Sequence, residues 1–441
     1  MKKEDVLPYK DEMIRDLRTL VSYPSVYSDD APPFGQANID CLNAALKIAA
    51  GYGFKTVNMD NYCGYVEMGE GEEIIGILAH LDVVPVSNGW SSDPFIMRED
   101  GDKLYGRGTS DDKGAGIASL TAMRMLRENN IPLNKRIRLI WGCNEETGSR
   151  GVAHYVEKEG YVNCGFTPDG EFPLVFGEKG MVSGWLKAPS TRILSIEGSN
   201  ARNIVPSKCV LTTVADCYDK KKLADFLNDH KIRFEMENDT LTVYGDAAHA
   251  SLPELGVNAL SYALEGLYQA GINDEFVRAY HELIALDYNG NNAGIGLEDE
   301  YGKLTMNMGM ARREGDNVMA SIDIRFPVTL NKKDVEKALL EKGHGYIVDT
   351  NTVDPLFFPL DHPMIKALMK AYVDVTGDTE KQPMVIGGGT YAKEMKGIVA
   401  FGCDDGKHNY RIHDDNEFVT VDSLLMQTAC YYEAIVNLLA I

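Results

Sequence analysis

The chain has 441 residues, and 66 acidic against 44 basic residues give it a formal charge of −22 at pH 7. Binding to nucleic acid or to an anionic membrane needs clustered lysine and arginine, so this charge argues against both partners. Hydrophobic residues make up 44% and charged residues 25%, which is typical of globular proteins and excludes a disordered or fibrous chain. At about 150 residues per domain, the length predicts two or three domains.

The first residues turn acidic at once and lack the apolar core of a signal peptide. No stretch approaches the roughly 18 apolar residues that a membrane span requires. The eight cysteines are scattered without a Cys-x-x-Cys pair, which predicts reduced thiols rather than a disulfide framework. Together these features predict a soluble cytoplasmic protein.

Helices and short apolar runs alternate in the first part of the chain. Apolar residues recur at helical spacing over 10–22 and 37–52. The run 74–79 is continuously apolar, as in strands buried on both faces of a sheet. A further helix over 113–127 and a strand over 137–141 follow. This alternation predicts an α/β fold with a mainly parallel sheet and flanking helices.

The pattern changes after about residue 180. The alternating segments 241–244 and 321–325 indicate half-exposed strands, and helical segments lie at 258–270 and 333–340. Such a pattern is typical of an α+β domain, with helices on one face of an antiparallel sheet.

The α/β pattern returns near the end of the chain, with a strand over 398–401 and a helix over 423–439. A second, α+β domain is therefore predicted as an insertion into the first. The predicted boundaries are 1–180 and 363–441 for the first domain and 181–362 for the insertion.

Four short segments rich in histidine and acidic residues lie directly after predicted strands or before a predicted helix. In open α/β sheets ligands bind at the carboxyl ends of the strands, so these side chains are expected to converge. The segments are His80-Leu81-Asp82, Thr109-Ser110-Asp111-Asp112, Asn144-Glu145-Glu146 and Thr167-Pro168-Asp169.

Each segment taken alone also has a structural explanation. His80 could be a buried histidine satisfied by a carboxylate, the Asp111-Asp112 pair could cap a helix, and Glu145-Glu146 could be solvated. Asp169 could be part of a turn. Carboxylates that converge at one edge repel one another unless a cation lies between them, however. Two divalent metal ions would supply that charge, and zinc accepts both imidazole and carboxylate ligands.

In combination, the motifs resemble those of the M20 metallopeptidases, and most closely the PepV-like dipeptidases. The Trp90–Phe95 and Gly387–Tyr391 segments are also similar to that branch. The motifs that carry the resemblance follow one another as His80-Leu81-Asp82, Gly106 to Gly114, Asn144 to Gly148, Thr167-Pro168-Asp169 and His413-Asp414-Asp415-Asn416-Glu417.

The resemblance implies a role for each residue of the site, and a cis peptide bond between Asp111 and Asp112. Asp111 is expected to bridge two metal ions, with His80 and Asp169 completing one site and Glu146 and His413 the other. Glu145 is expected to act as general base on the bridging water, and Asp82 to hold the metal-binding tautomer of His80. The order within Glu145-Glu146 rests on the resemblance alone. His408 is an alternative to His413, which the His-x-x-Asn-Glu context favours.

The resemblance also places substrate-binding residues. His249 in the inserted lid domain is expected to stabilise the tetrahedral oxyanion, and Asn203 and Arg325 are expected to contact substrate. Gly388, Gly389, Thr390 and Lys393 are expected to bind substrate near the end of the chain. Lys393 stands where this branch usually has arginine. A lysine neutralises a carboxylate but cannot clamp it through two parallel hydrogen bonds.

The function that the resemblance implies is a metal-dependent dipeptidase that hydrolyses short unblocked peptides. The cofactors are two divalent ions, with zinc expected first and manganese or cobalt as alternatives. A monomer is expected, because the enlarged lid of this branch replaces a second subunit. Alternatives on the same site are an aminoacylase, a deacetylase or a carboxypeptidase. A catalytically silent metal-binding protein is disfavoured, because both Glu145 and Asp111 are present.

Overall fold

The computed structural model describes all 441 residues. Its contacts divide the chain into two compact units. The first unit comprises Met1–Gly177, Phe358–Met384 and Gly389–Ile441, and the second comprises Glu178–Phe357 and Val385–Gly388. The catalytic and lid roles predicted for these parts of the chain stay predictions.

Eleven α-helices occur along the chain, together with single 3₁₀ turns at Leu7–Tyr9, Pro253–Leu255 and Tyr391–Lys393. The helices are α1 (Lys3–Val6), α2 (Lys10–Val21), α3 (Gln36–Gly51), α4 (Lys113–Glu128), α5 (Arg150–Glu159), α6 (Lys220–Asp229), α7 (Ala259–Gln269), α8 (Glu275–Leu283), α9 (Lys332–Lys342), α10 (Pro363–Thr376) and α11 (Val421–Leu439).

The strands are β1 (Lys55–Met59), β2 (Cys63–Met68), β3 (Ile74–His80), β4 (Arg98–Asp100), β5 (Lys103–Tyr105), β6 (Arg136–Gly142), β7 (Cys164–Thr167), β8 (Val175–Glu178), β9 (Gly180–Pro189), β10 (Ile193–Glu197), β11 (Ile204–Val205), β12 (Lys208–Thr213), β13 (Phe234–Glu237), β14 (Thr240–Tyr244), β15 (Ala248–His249), β16 (Glu298–Asp299), β17 (Gly302–Lys303), β18 (Thr305–Glu314), β19 (Asn317–Phe326), β20 (Ile347–Val353), β21 (Leu356–Phe357), β22 (Met384–Ile386), β23 (Ile398–Ala400) and β24 (Phe418–Thr420).

The main sheet of the first unit has the strand order β1-β2-β6-β3-β7-β23-β8. The four inner strands β6, β3, β7 and β23 pair in parallel, whereas the outer pairs are antiparallel. Every residue of β3 is buried, as its continuous apolar run predicts. The predicted α/β fold with a mainly parallel sheet is therefore confirmed.

The loop that precedes α4 is held close to the rest of the first unit. Gly114 is required there, because a Cβ at this position would lie 2.0 Å from the carbonyl oxygen of Thr109. The neighbouring Lys113 is fully buried, and its ammonium donates hydrogen bonds to the carbonyls of Leu20 and Tyr23, both at 3.0 Å. These contacts set the position from which Asp111 projects.

The second unit contains two four-stranded antiparallel sheets, in the orders β10-β12-β14-β13 and β18-β19-β9-β20. The antiparallel α+β pattern predicted for this region is confirmed. The half-exposed character predicted for 321–325 is wrong, since β19 is buried from Val318 to Phe326. It pairs with strands on both sides, and its two charged residues, Asp323 and Arg325, neutralise each other.

All eight cysteines are free thiols, in agreement with the prediction from their spacing. None of the helices combines the length and the apolar composition that spanning a membrane requires.

Candidate active site

Three of the four predicted segments lie at the carboxyl ends of adjacent parallel strands. His80 is the last residue of β3 and pairs in register with Gly142, the last residue of β6. Glu145 and Glu146 follow β6, and Asp169 follows β7 on the other side of β3. Because neighbouring parallel strands end at one edge of the sheet, these side chains meet there.

The carboxylate of Asp111 lies between two imidazoles. Its Oδ1 is 3.0 Å from His80 Nε2, and its Oδ2 is 2.9 Å from His413 Nε2. Glu146 Oε2 is 3.2 Å from the same nitrogen of His413, and Asp169 Oδ2 is 3.9 Å from His80 Nε2. The structure therefore brings all five predicted metal ligands together within the first unit.

Glu145 belongs to the same cluster. Its carboxylate and those of its neighbours lie close enough that His80, Glu145 and Asp169 could share one ion, with their ligand atoms within 4.8 Å of one another. His80, Asp111 and Glu146 form a second such group. His80 occurs in both groups, so the two groups describe one continuous site.

Charge and burial shift the pKa values of this cluster. Burial raises the pKa of Glu145 to about 8 and that of Asp169 to about 7, and neighbouring carboxylates add to both shifts. Hydrogen bonds to Asp111 and Glu146 raise the pKa of His413 to about 10. Burial alone would raise the pKa of Asp111, but the imidazoles of His413 and His80 outweigh it and hold that pKa well below its ordinary value.

This donor set fits divalent cations. Carboxylate oxygens and imidazole nitrogens are ligands that zinc and manganese accept. The two oxygens of Asp111 face different imidazoles, which is the arrangement that a carboxylate bridging two ions requires. Glu145 and Asp169 are also buried beside other carboxylates, and a bound cation would offset both the burial and the repulsion.

Asp82 contacts both His80 and the loop that follows β6. Its backbone carbonyl, rather than its carboxylate, approaches His80 Nδ1 most closely, at 3.0 Å against 3.6 Å. Since a carbonyl only accepts, Nδ1 keeps a proton, and Nε2 is the nitrogen that can lose its proton and bind a cation. The Asp82 carboxylate accepts the backbone N–H groups of Glu145 and Glu146, each at 3.0 Å.

Three further residues of the site have no role in the sequence analysis. Asp112 is fully buried, and its Oδ2 accepts the backbone N–H of His80 at 3.1 Å. The ring of Tyr391 packs edge-on against that of His80, with 5.9 Å between centroids. Glu417 is also fully buried. Only their places in the quoted motifs could have indicated them, since their contacts come from distant segments.

The peptide bond between Asp111 and Asp112 is cis, as the resemblance implies. His408, the alternative to His413, lies apart from the cluster. Its Nδ1 is 3.5 Å from Asp405 Oδ2 and 3.3 Å from the hydroxyl of Tyr410. His413 is therefore the histidine of this segment that contacts Asp111.

In the second unit, His249 and Asn203 lie on adjacent segments. The residue after Asn203, Ile204, pairs with His249 in the β11–β15 ladder, and the Asn203 carbonyl accepts the N–H of Ala250 at 2.9 Å. His249 Nδ1 is 2.7 Å from the hydroxyl oxygen of Ser251, and the backbone N–H of Ser251 donates to the same nitrogen at 3.2 Å. Nδ1 is therefore an acceptor, and in the neutral ring the proton is on Nε2. Burial, assisted by the charge of Arg325, lowers the pKa of His249 and favours that neutral ring.

Arg325 is already engaged within the second unit. Its Nε and Nη2 donate to the two carboxylate oxygens of Asp323 at 2.6 and 3.1 Å, and its Nη1 donates to the carbonyl of Gly387 at 2.9 Å. These bonds hold the Gly387–Gly388 segment against β19. Two of the five N–H donors of the guanidinium are not used by these three bonds.

The remaining predicted substrate residues lie along one segment. Gly388 belongs to the second unit, whereas Gly389, Thr390 and Lys393 belong to the first. Thr390 caps the short 3₁₀ turn that contains Lys393, because its hydroxyl accepts the N–H of Ala392 at 3.1 Å. Lys393 is partly exposed.

Comparison with known proteins gives a consistent result. The model of peptidase family M20/M25/M40 matches residues 76–437. A protein of Bacillus subtilis (strain 168) named putative dipeptidase YtjP is 33% identical over 458 residues, which covers 98% of this chain and 98% of that protein.

Solved structures share the fold. The structure of human carnosine dipeptidase 1 matches with a TM-score of 0.60 at 17% sequence identity. The match covers 100% of this chain and 98% of the human chain. The YXEP protein of Bacillus subtilis, described as a dinuclear metal binding peptidase, matches with a TM-score of 0.50 at 11% sequence identity. That match covers 97% of this chain and 98% of the YXEP chain.

Proposed function

The chain belongs to peptidase family M20/M25/M40, and from this premise we propose that it is a metal-dependent dipeptidase acting on short unblocked peptides. The observation that carries the proposal is the cluster at the carboxyl edge of the main sheet, where His80, Asp111 and Glu146 lie together beside Glu145. The similarity to the relative named putative dipeptidase YtjP, which extends over 98% of both chains, supports the choice of a dipeptide as substrate.

Two divalent ions are the proposed cofactors, with zinc first and manganese or cobalt as alternatives. Asp111 would bridge the ions, His80 and Asp169 would complete one site, and Glu146 and His413 the other. When bound, the ions would polarise the scissile carbonyl and lower the pKa of the attacking water. The position of Asp111 between two imidazoles supports this assignment.

Glu145 is the proposed general base. It neighbours the proposed ligand Glu146, and one of its carboxylate oxygens lies within 4.8 Å of the ligand atoms of His80 and Asp169. We assign to its carboxylate the removal of a proton from the attacking water and the return of that proton to the leaving amine. The hydrogen bond from the Glu145 N–H to Asp82 holds its backbone in place.

His249 is proposed to donate a hydrogen bond from Nε2 to the carbonyl oxygen as negative charge develops there. Ser251 supports this role, because its hydroxyl and its backbone N–H both lie at Nδ1, and a proton donated there leaves the ring proton on Nε2. Asn203, Arg325, Gly388, Gly389, Thr390 and Lys393 are proposed to bind the peptide backbone and its terminal carboxylate. The cations Arg325 and Lys393 would neutralise that carboxylate.

We also propose that the protein acts as a cytoplasmic monomer, with small peptides rather than nucleic acid or membrane as its partners. The formal charge of −22 supports the exclusion of polyanions. Size-exclusion chromatography with light scattering would test the monomer directly.

The decisive experiment is hydrolysis of a panel of dipeptides by metal-stripped protein to which Zn²⁺, Mn²⁺ or Co²⁺ is restored separately. We expect activity to return with a metal and to disappear when the dipeptide is N-acetylated. Glu145→Gln should keep the metals and lose about 10²–10⁴-fold in kcat, the usual contribution of a general base. Activity confined to N-acylated substrates would instead identify an aminoacylase or deacetylase.

A further inference from the structure

The buried carboxylate of Glu417 accepts four hydrogen bonds from one short segment of the first unit. Its Oε2 accepts from Arg107 Nη1 at 2.8 Å and from the N–H of Gly108 at 3.0 Å. Its Oε1 accepts from the N–H groups of Ser110 at 2.9 Å and Asp111 at 3.1 Å. Three of the four donors are backbone groups, so this carboxylate fixes the path of the chain as well as neutralising Arg107.

The segment around Glu417 runs beside the segment that leads to Asp111. Strand β24, which begins at Phe418, pairs with β5, and the backbone N–H of Gly106 donates to the carbonyl of Glu417 at 3.0 Å. Glu417 directly precedes this ladder, and its carboxylate binds the turn that ends at Asp111. The two segments are therefore joined continuously from β24 to the metal site.

His413 lies in the loop that this connection attaches to the Asp111 turn, and Asp415 and Asn416 of the same loop also accept hydrogen bonds, from Ser87 and Ser91. The side chain of His413 is 54% exposed, and its backbone is left-handed with φ of 62°. Its Nε2 contacts the carboxylates of Asp111 and Glu146, which lie on other segments of the chain. Glu417 follows His413 by four residues, and it is the buried point at which this exposed loop is attached to the Asp111 turn.

We infer that Glu417 is a positioning residue that holds Asp111 and His413 at the separation required for cation binding. The inference rests on the ligand roles proposed above for these two residues, but not on the identity of the peptide substrate. Groups that orient metal ligands in this way are known to affect metal affinity by 10- to 100-fold when removed.

Glu417→Gln tests the hydrogen bonds of Glu417 while it leaves the size of the side chain nearly unchanged. The variant has nearly the same volume, but it replaces one acceptor oxygen by an NH₂ group that opposes N–H donors. Each oxygen accepts two of the four hydrogen bonds, so at least two are then lost, and Arg107 loses its counter-charge. Glu417→Asp keeps the charge beside Arg107 and shortens the side chain, so it is a second variant that is expected to fold.

The matched control is Glu67→Gln. Glu67 is a buried carboxylate of the same unit that accepts from buried Arg138 Nε at 2.9 Å. None of its hydrogen bonds involves a residue of the candidate site. Its loss therefore disturbs a comparable buried ion pair without acting on the metal ligands.

The experiment titrates Mn²⁺ into the metal-free proteins, with bound ion followed by electron paramagnetic resonance and folding followed by circular dichroism. We expect Glu417→Gln and Glu417→Asp to raise the Kd by about 10- to 100-fold, and Glu67→Gln to leave it within about twofold. Titration with Zn²⁺ against a competing chelator should rank the metal affinities of the variants in the same order.

Unchanged Mn²⁺ affinity in a folded Glu417 variant would overturn the inference. So would an equal loss of affinity in Glu67→Gln, because that result would assign the effect to stability in general. The dipeptidase proposal fails separately, if wild-type protein binds the ions normally but cleaves no peptide.

Discussion

The carboxylate of Asp82 accepts the backbone N–H of Glu145 at 3.0 Å, and so joins the end of β3 to the loop that follows β6. The second oxygen of the same carboxylate accepts the N–H of Glu146. One buried side chain thus orients the proposed base and the proposed ligand that follows it.

Asp82→Asn is therefore expected to lower kcat by about 10- to 100-fold, the usual effect of removing a group that orients a metal site. Asparagine has a single acceptor oxygen, so one of the two N–H groups would face an NH₂ group. The measurement is steady-state hydrolysis at saturating metal.

Asp60→Asn is the control for this variant, because Asp60 lies on the surface of the same unit and pairs with Lys158 and His154. A normal kcat in Asp82→Asn would contradict the proposed role of Asp82 in orienting Glu145.

His249→Ala is expected to lower kcat by about 10²–10³-fold while metal affinity stays unchanged, because the side chain donates to the developing oxyanion and is not a ligand. Kinetics and metal titration on the same preparation measure the two quantities. His281→Ala is the matched control in the second unit, where His281 stacks on Tyr268 and bonds to Glu265. Loss of metal affinity in His249→Ala would show that the assignment is mistaken.

Metal binding to the metal-free protein is expected to release at least one proton at pH 7. The imidazole of His413, with a pKa of about 10, holds a proton in the metal-free protein and must lose it to become a ligand. Metal affinity should accordingly rise with pH between 6 and 8. Calorimetry in two buffers of different ionisation enthalpy measures the number of protons, and heats that do not depend on the buffer would argue against the prediction.

Glu67→Gln is expected to lower the free energy of unfolding at pH 7 by about 3 kcal/mol, because the buried Arg138 loses a counter-charge. Burial alone would raise the pKa of Glu67, but the hydrogen bonds and charge of Arg138 outweigh it and lower the pKa below its ordinary 4.5. A lowered pKa stabilises the folded state above pH 4.5, and this stabilisation is lost as the pH falls through the lowered value.

The Tm of metal-free wild type should therefore fall towards that of Glu67→Gln as the pH decreases from 5 to 3. Scanning calorimetry of both proteins over this range tests the sign. A gap that widens in acid would contradict the proposed ion pair.

Much of the fold was predictable, because hydrophobic periodicity reports burial directly. The continuous run 74–79 predicts a strand covered on both faces, and β3 is buried throughout. The alternation at 321–325 misled for the same reason, since alternation predicts an exposed face. The Asp323–Arg325 ion pair instead allows charged residues to lie in the buried strand β19.

The convergence of His80, Glu145 and Asp169 was also contained in the sequence, because parallel strands that end together bring the residues after them to one edge. The sequence did not reveal which hydrogen bonds each side chain makes. Asp82 binds the amides of the β6 loop, Glu417 binds the turn before Asp111, and Arg325 binds the carbonyl of Gly387. Local sequence specifies period and chemical type, whereas these partners lie far apart along the chain and become neighbours only when the tertiary structure forms.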